Sequence, residues 1–113
     1  MKIAKLIKTY NLIGSLLEAV HVDESTKTIT IELDFCYWQQ KEFVDGDIET
    51  GMVALVFSDC TEYHICEHQI NSDEIVNVEV ADNNSIDMCV ESDLTGEYHH
   101  IRITAMNVEF VNL

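Results

Sequence analysis

The chain has 113 residues, 47% of them hydrophobic, and sets 21 acids against 6 lysines and arginines for a formal net charge of −15. That is the length of one domain, residues 1–113, with enough apolar content to bury a core, which excludes disorder. The charge excludes a sequence-independent nucleic-acid binder, because such proteins need cations to replace phosphate counterions, and it disfavours docking on an anionic membrane.

Residues 2–12 predict a helix. Ile3, Leu6, Ile7 and Tyr10 recur at helical spacing, while Lys2, Lys5 and Lys8 fall away from that stripe. Gly14 stands where a C-terminal cap belongs. Lys5 and Lys8 interrupt any apolar export leader and no small-residue cleavage site follows, so a cytoplasmic location is expected. Cys36, Cys60, Cys66 and Cys89 then read as reduced thiols.

Everything after the helix predicts strands. Residues 16–22, the turn formers Asp23, Glu24, Ser25 and Thr26, and the strictly alternating residues 28–35 make a first hairpin. Residues 52–57 are apolar on both faces and belong in a central strand, too short to span a bilayer. Residues 75–80 and 86–90 flank a second polar turn at 81–85, and residues 98–105 and 107–111 supply the last strands. The fold class expected is mainly β (α+β): an antiparallel sandwich or strongly curled sheet of six to seven strands with a short N-terminal helix.

The densest chemistry lies in residues 60–68. Cys60, His64, Cys66 and His68 are potential zinc ligands that a straight strand sets on one face together with Glu62. Same-face residues are roughly 7 Å apart along a strand, so only two or three can reach one ion. The paired cysteine knuckles of structural zinc sites are missing, so no metal or other cofactor is expected. A small metal- or ligand-binding module on this segment is the alternative. Asp45, Asp47 and Glu49 surround Gly46 without the calcium-loop pattern, and read either as an exposed turn or as a rim facing a basic partner. No G-x-S-x-G elbow, H-E-x-x-H or P-loop occurs, so the protein is expected not to be an enzyme. Trp38, beside Gln39 and Gln40, is either an interface anchor or a hydrophobic plug at the end of the sandwich.

Charge is distributed unevenly. Residues 1–41 balance five lysines against five acids, whereas residues 42–113 hold sixteen acids and one base, Arg102. Solubility is one reason for such an excess, and a field that draws in a basic partner is the other. The second reading places partner contacts at Trp38, Asp45, Asp47, Glu49, Asp59 and Glu62, with Asp73, Glu74 and Asp93 next.

Leu17-Glu-Ala-Val-His-Val-Asp, Thr28-Ile-Thr-Ile-Glu-Leu-Asp-Phe, Trp38, and Met52-Val-Ala-Leu-Val-Phe followed by acids resemble small acidic immunity proteins of bacterial polymorphic-toxin and contact-dependent inhibition systems. Ile101-Arg-Ile-Thr-Ala and Val108-Glu-Phe are similar in style. The resemblance implies a cytosolic non-enzyme that neutralises a cognate toxin, commonly a nuclease with a basic cleft, by direct binding. It implies a monomer until that partner arrives. A structural protein pairing through a sheet edge is the remaining alternative.

Overall fold

The computed structural model describes residues 1–65 and 68–113. One short helix, α1 (Ile3–Thr9), is followed by β1 (Leu16–Asp23), β2 (Thr28–Cys36), a single 3-10 turn (Tyr37–Gln39), β3 (Thr50–Ile65), β4 (Asp73–Ala81), β5 (Ser85–Glu91) and β6 (Tyr98–Asn112). The strands form one antiparallel sheet in the order β1-β2-β3-β6-β5-β4, and β4 returns to β1 to close a barrel. The chain is thus the curled form of the expected mainly β fold rather than a sandwich.

Closure is narrow. Only Leu16 opposite Glu74 and Leu17 opposite Asp73 pair β1 with β4. Two further backbone bonds extend the seam: the Ile75 N–H donates to the Ser15 carbonyl at 2.9 Å, and the Gly14 N–H to the Ile75 carbonyl at 2.8 Å. Gly14 therefore belongs to the seam and not to the helix cap. The helix stops earlier, at Tyr10, whose φ of −124° and ψ of 132° are extended. There the Asn11 carboxamide accepts the Ile13 N–H at 3.1 Å, a local bond that competes with further helix. Seven residues are too few for an isolated helix, so packing holds α1. Ile3 and Leu6 are fully buried, and the Ala4 N–H donates to the Asn83 carbonyl at 3.1 Å.

Six strands form where seven were possible, because residues 98–105 and 107–111 are one continuous β6. The pattern that suggested a break is a change of face. On β6 the inward residues are Ile101, Ile103 and Ala105, then Val108; on β3 they are Val53, Leu55 and Phe57, then Cys60. Both strands change face at the same level with their register kept, since Ser58 lies opposite Asn107 and Cys60 opposite Ala105. Asp59 takes φ +52° at this corner, so the ladder bends without breaking. The bend keeps residues of both long strands in the core on either side of it, from Val53 to Cys60 and from Ile101 to Val108. Phe35, Phe57, Ile31, Leu33, Leu55 and Ile75 are at most 1% exposed, each contributing roughly 2 kcal/mol through burial. β3 has β2 and β6 on either side, and in a closed barrel no strand is central.

Hairpin turns follow local chemistry. The Asp23 carboxylate accepts the Ser25 and Thr26 N–H groups at 3.0 and 3.3 Å and the Ser25 hydroxyl at 2.6 Å. These bonds hold its carboxyl below the ordinary range. Asp82 and Asn83, both with positive φ, turn β4 into β5.

Gly14 has φ +89°, and a Cβ there would collide with the Gln39 side chain. Gly14→Ala should therefore destabilise the domain by about 2 kcal/mol in urea titration, a left-handed strain and a clash at the closing seam. An unchanged midpoint would mean that the seam tolerates displacement.

Candidate functional site

Of the expected contact residues, four come together in the connection between β2 and β3. Trp38 stands in the 3-10 turn, and its backbone N–H donates to the Glu49 carbonyl at 3.1 Å, which draws the two ends of the loop into register. Gln40 fixes the loop from beneath, its amide donating to the carbonyls of Asn11 and Cys36 at 2.9 Å each and accepting the Asn11 N–H at 2.9 Å. Beyond it, Gly46 supplies φ +101°, and the Asp47 carboxylate accepts the Val44 N–H at 3.3 Å. Asp45, Asp47 and Glu49 are exposed. So are the apolar side chains of Trp38 (54%), Val44 (64%) and Ile48 (77%). Trp38 is no plug. Tyr37 takes that part, packing edge-on against Phe35 with centroids 5.0 Å apart and donating its hydroxyl to the Asn112 carboxamide at 2.6 Å.

Asp59 and Glu62 do not share this surface, whereas Glu74 lies opposite Leu16 at the seam, within electrostatic reach of Cys36 at the start of the loop. Asp59 is exposed at the bend of β3 and Glu62 beyond it, ten or more residues from Glu49 and so about 30 Å or more along the strand. Glu74 is exposed and lies opposite Glu91 across the β4–β5 ladder. Asp93 is exposed in the turn before β6.

Asp73 is a correction. Expected to face a partner, it is 0% exposed and works inside the seam. One carboxylate oxygen accepts the Asn71 and Asp93 N–H groups at 3.3 and 3.4 Å, and the other lies 2.7 Å from His68 Nε2. The His68 ring stacks on His99 with centroids 3.7 Å apart. A buried acid costs desolvation unless such donors meet it, and here they join the approach to β4 with the β5–β6 turn.

This arrangement also takes His68 away from the ligand set expected on residues 60–68. Cys60 points inward, 8% exposed, with its thiol against the Phe57 carbonyl at 3.6 Å. A register shift between Cys60 and Glu62 turns Glu62 and His64 outward, so these residues do not share a face. Cys66 lies outside the described residues. Among the described residues, no group of three or more His, Cys, Asp or Glu side chains could hold a metal ion. Burial pushes the Cys36 and Cys60 thiols up, which disfavours the thiolate that nucleophilic catalysis needs. No helix among the described residues is long and apolar enough to cross a membrane.

The sequence reading missed a second polar cluster. Asp87 on β5 accepts His100 Nδ1 at 2.8 Å and Arg102 Nε at 2.9 Å. Alternation on β6 puts His100 and Arg102 on one outer face, which was the available signal. Asp87 and Arg102 line a groove of about 450 Å3 with Glu62, His64 and Glu79. Burial pushes the Asp87 carboxyl up, but the His100 and Arg102 hydrogen bonds outweigh it and hold the group below its usual 3.8. The folded state therefore binds this proton less tightly than the unfolded chain. The associated stability is fully present above pH 3.8 and is lost as pH falls through the lower folded value.

Two predictions follow from these clusters. Asp73→Ala leaves three donors without an acceptor and should cost about 3 kcal/mol in chemical denaturation. Arg102→Met should raise the Asp87 titration seen by carboxyl NMR while costing at most about 1 kcal/mol at neutral pH, because Arg102 is 63% exposed. No protein-family model, curated protein or solved structure matches this chain.

Proposed function

We propose that this protein is a non-catalytic inhibitor that binds a basic protein partner through the loop between β2 and β3, in the manner of an immunity protein neutralising a cognate toxin. One observation carries the reading: an exposed tryptophan is tied by its own backbone to a loop holding three exposed acids. An exposed aromatic on a fixed backbone, in a loop that carries like charge, supplies both halves of a specific interface. The acids accelerate encounter, and the desolvated ring slows departure. The partner chemistry favoured by the −15 charge is a cationic cleft, such as a nuclease domain uses to hold phosphates. Sheet-edge assembly is less favoured, because β4 meets β1 and the barrel closes.

The test is stopped-flow binding to the partner recovered by affinity capture, with protection against that partner's toxicity on co-expression as the functional readout. The association rate should fall by about one to three orders of magnitude between low and high salt. Asp45→Asn, Asp47→Asn and Glu49→Gln combined should flatten that dependence. Trp38→Ala should instead raise the dissociation rate by about thirtyfold, the scale of a hot-spot side chain. An association rate indifferent to salt would contradict the proposal.

A further inference from the structure

One surface of this acidic molecule is basic. Lys2, Lys5 and Lys8 follow at three-residue spacing along α1, all exposed, a separation that sets neighbouring Cβ atoms about 5–6 Å apart. They line a groove of about 470 Å3 whose other wall is the β4–β5 turn, Asp82, Asn83 and Asn84. Backbone bonds fix both walls. The Ala4 N–H donates to the Asn83 carbonyl at 3.1 Å, joining helix to turn, and the Ala105 N–H donates to the Asn84 carbonyl at 3.0 Å, joining turn to β6. Three lysines and one aspartate are the charged side chains of the lining, a net of +2 on a molecule of −15. Among the described residues none of these lysines is in an ion pair, although the chain holds 21 acids. Helix stability does not account for the row. Lys8 suits the last turn, but Lys2 and Lys5 stand at the start, where the helix's partial positive charge opposes a cation, and no acid occupies the first turn.

We infer that this groove is a binding site for a compact polyanion, a small molecule of the oligophosphate kind, independent of the inhibitor reading. Charge sets the sign of the occupant, and the lining sets its class. The first N–H groups of α1 are already used, Ala4 on Asn83 and Lys5 and Leu6 on the Lys2 carbonyl, so the ligand meets side chains and not a helix end. Lysine ammonium groups bind phosphate as point charges, and the Asn83 and Asn84 carboxamides add neutral donors. Among the described residues of the lining Ala4 is the one apolar side chain, so nothing is offered for stacking a base or holding an acyl tail. A volume of about 470 Å3 falls within the range of small-ligand sites. Size also counts against a polymer. At physiological ionic strength charges reach about 8 Å, so a compact ligand feels the lysines, whereas a nucleic-acid strand or an anionic bilayer extends over the carboxylates of the −15 surface.

The probe is inorganic tripolyphosphate, titrated at low salt into nitrogen-15-labelled protein beside orthophosphate. Amide shifts should concentrate at Ala4, Lys5, Asn83 and Asn84, with orthophosphate binding at least about tenfold more weakly. Lys5→Gln should weaken tripolyphosphate about threefold, the scale of one exposed ion pair. Asp82→Asn should instead tighten it about threefold, because the substitution removes the lining's one anion. Asparagine keeps the left-handed φ of +52° at that position, and a gain in affinity does not arise from a damaged fold. Lys27→Gln, in the turn between β1 and β2, should leave the affinity unchanged. The absence of shifts at those amides at millimolar tripolyphosphate would overturn the site. So would Lys27→Gln weakening binding as much as Lys5→Gln, or Asp82→Asn failing to tighten it. Equal binding of orthophosphate would overturn the multivalent class. Tighter binding of ATP, or of a ten-residue oligothymidylate, than of tripolyphosphate would overturn the compact, base-free class.

Discussion

Repulsion among carboxylates that the fold does not cancel is the constraint against which the rest of the molecule is built. Residues 42–113 contain one cation, Arg102, and it is bound to Asp87. On the β4–β5 ladder Glu79 sits opposite Asp87 and Glu74 opposite Glu91, like charges in directly facing positions that weaken a sheet. Cohesion comes from within: a closed barrel puts every strand's inner face on one core, and the paired bend of β3 and β6 keeps buried residues on both sides of it, from Val53 to Cys60 and from Ile101 to Val108. The outer surface is thereby left free to be acidic.

The same closure places the candidate interface. β2 and β3 are adjacent strands in register from Ile29 opposite Phe57 to Cys36 opposite Thr50, so their connection emerges at one rim of the barrel. Gln40 pins it to the exit of α1, and Trp38 N–H joins it to Glu49. A loop backbone held this way loses little further freedom on binding, which is one condition under which the exposed aromatic area it carries converts into affinity. The buried carboxylate of Asp73 serves the opposite end of the argument: the one acid of the nine expected contacts that is fully enclosed is also the one met by two backbone donors and an imidazole.

Much of the fold was legible because period-two alternation is a direct record of which face is buried. Ile29, Ile31, Leu33 and Phe35 alternate inward as the pattern of β2 requires, and the polar turn formers close both hairpins. Alternation cannot distinguish the end of a strand from a bend within it, so β6 read as two elements, and the register shift between Cys60 and Glu62 put Cys60 and His64 on different faces. The helix read too long because Tyr10 fits the apolar stripe equally well from an extended backbone, stacked on Phe110. Trp38 and its acids were found by proximity in sequence. Asp73 was misplaced because its donors come from His68 nearby and Asp93 far along the chain, and charge alone does not say which acid a seam encloses.

Uncancelled surface repulsion can be measured without any partner, by thermal melting of the isolated protein at neutral pH as sodium chloride rises from about 10 mM to about 200 mM. Over that range the screening length falls from about 30 Å to under 10 Å. If the acids repel one another across the barrel surface, the melting temperature should climb by several degrees, about 4 °C for each kcal/mol of repulsion relieved. A melting temperature that stays constant or falls would mean that the carboxylates are already neutralised within the fold, with no free acidic field left to meet a basic partner.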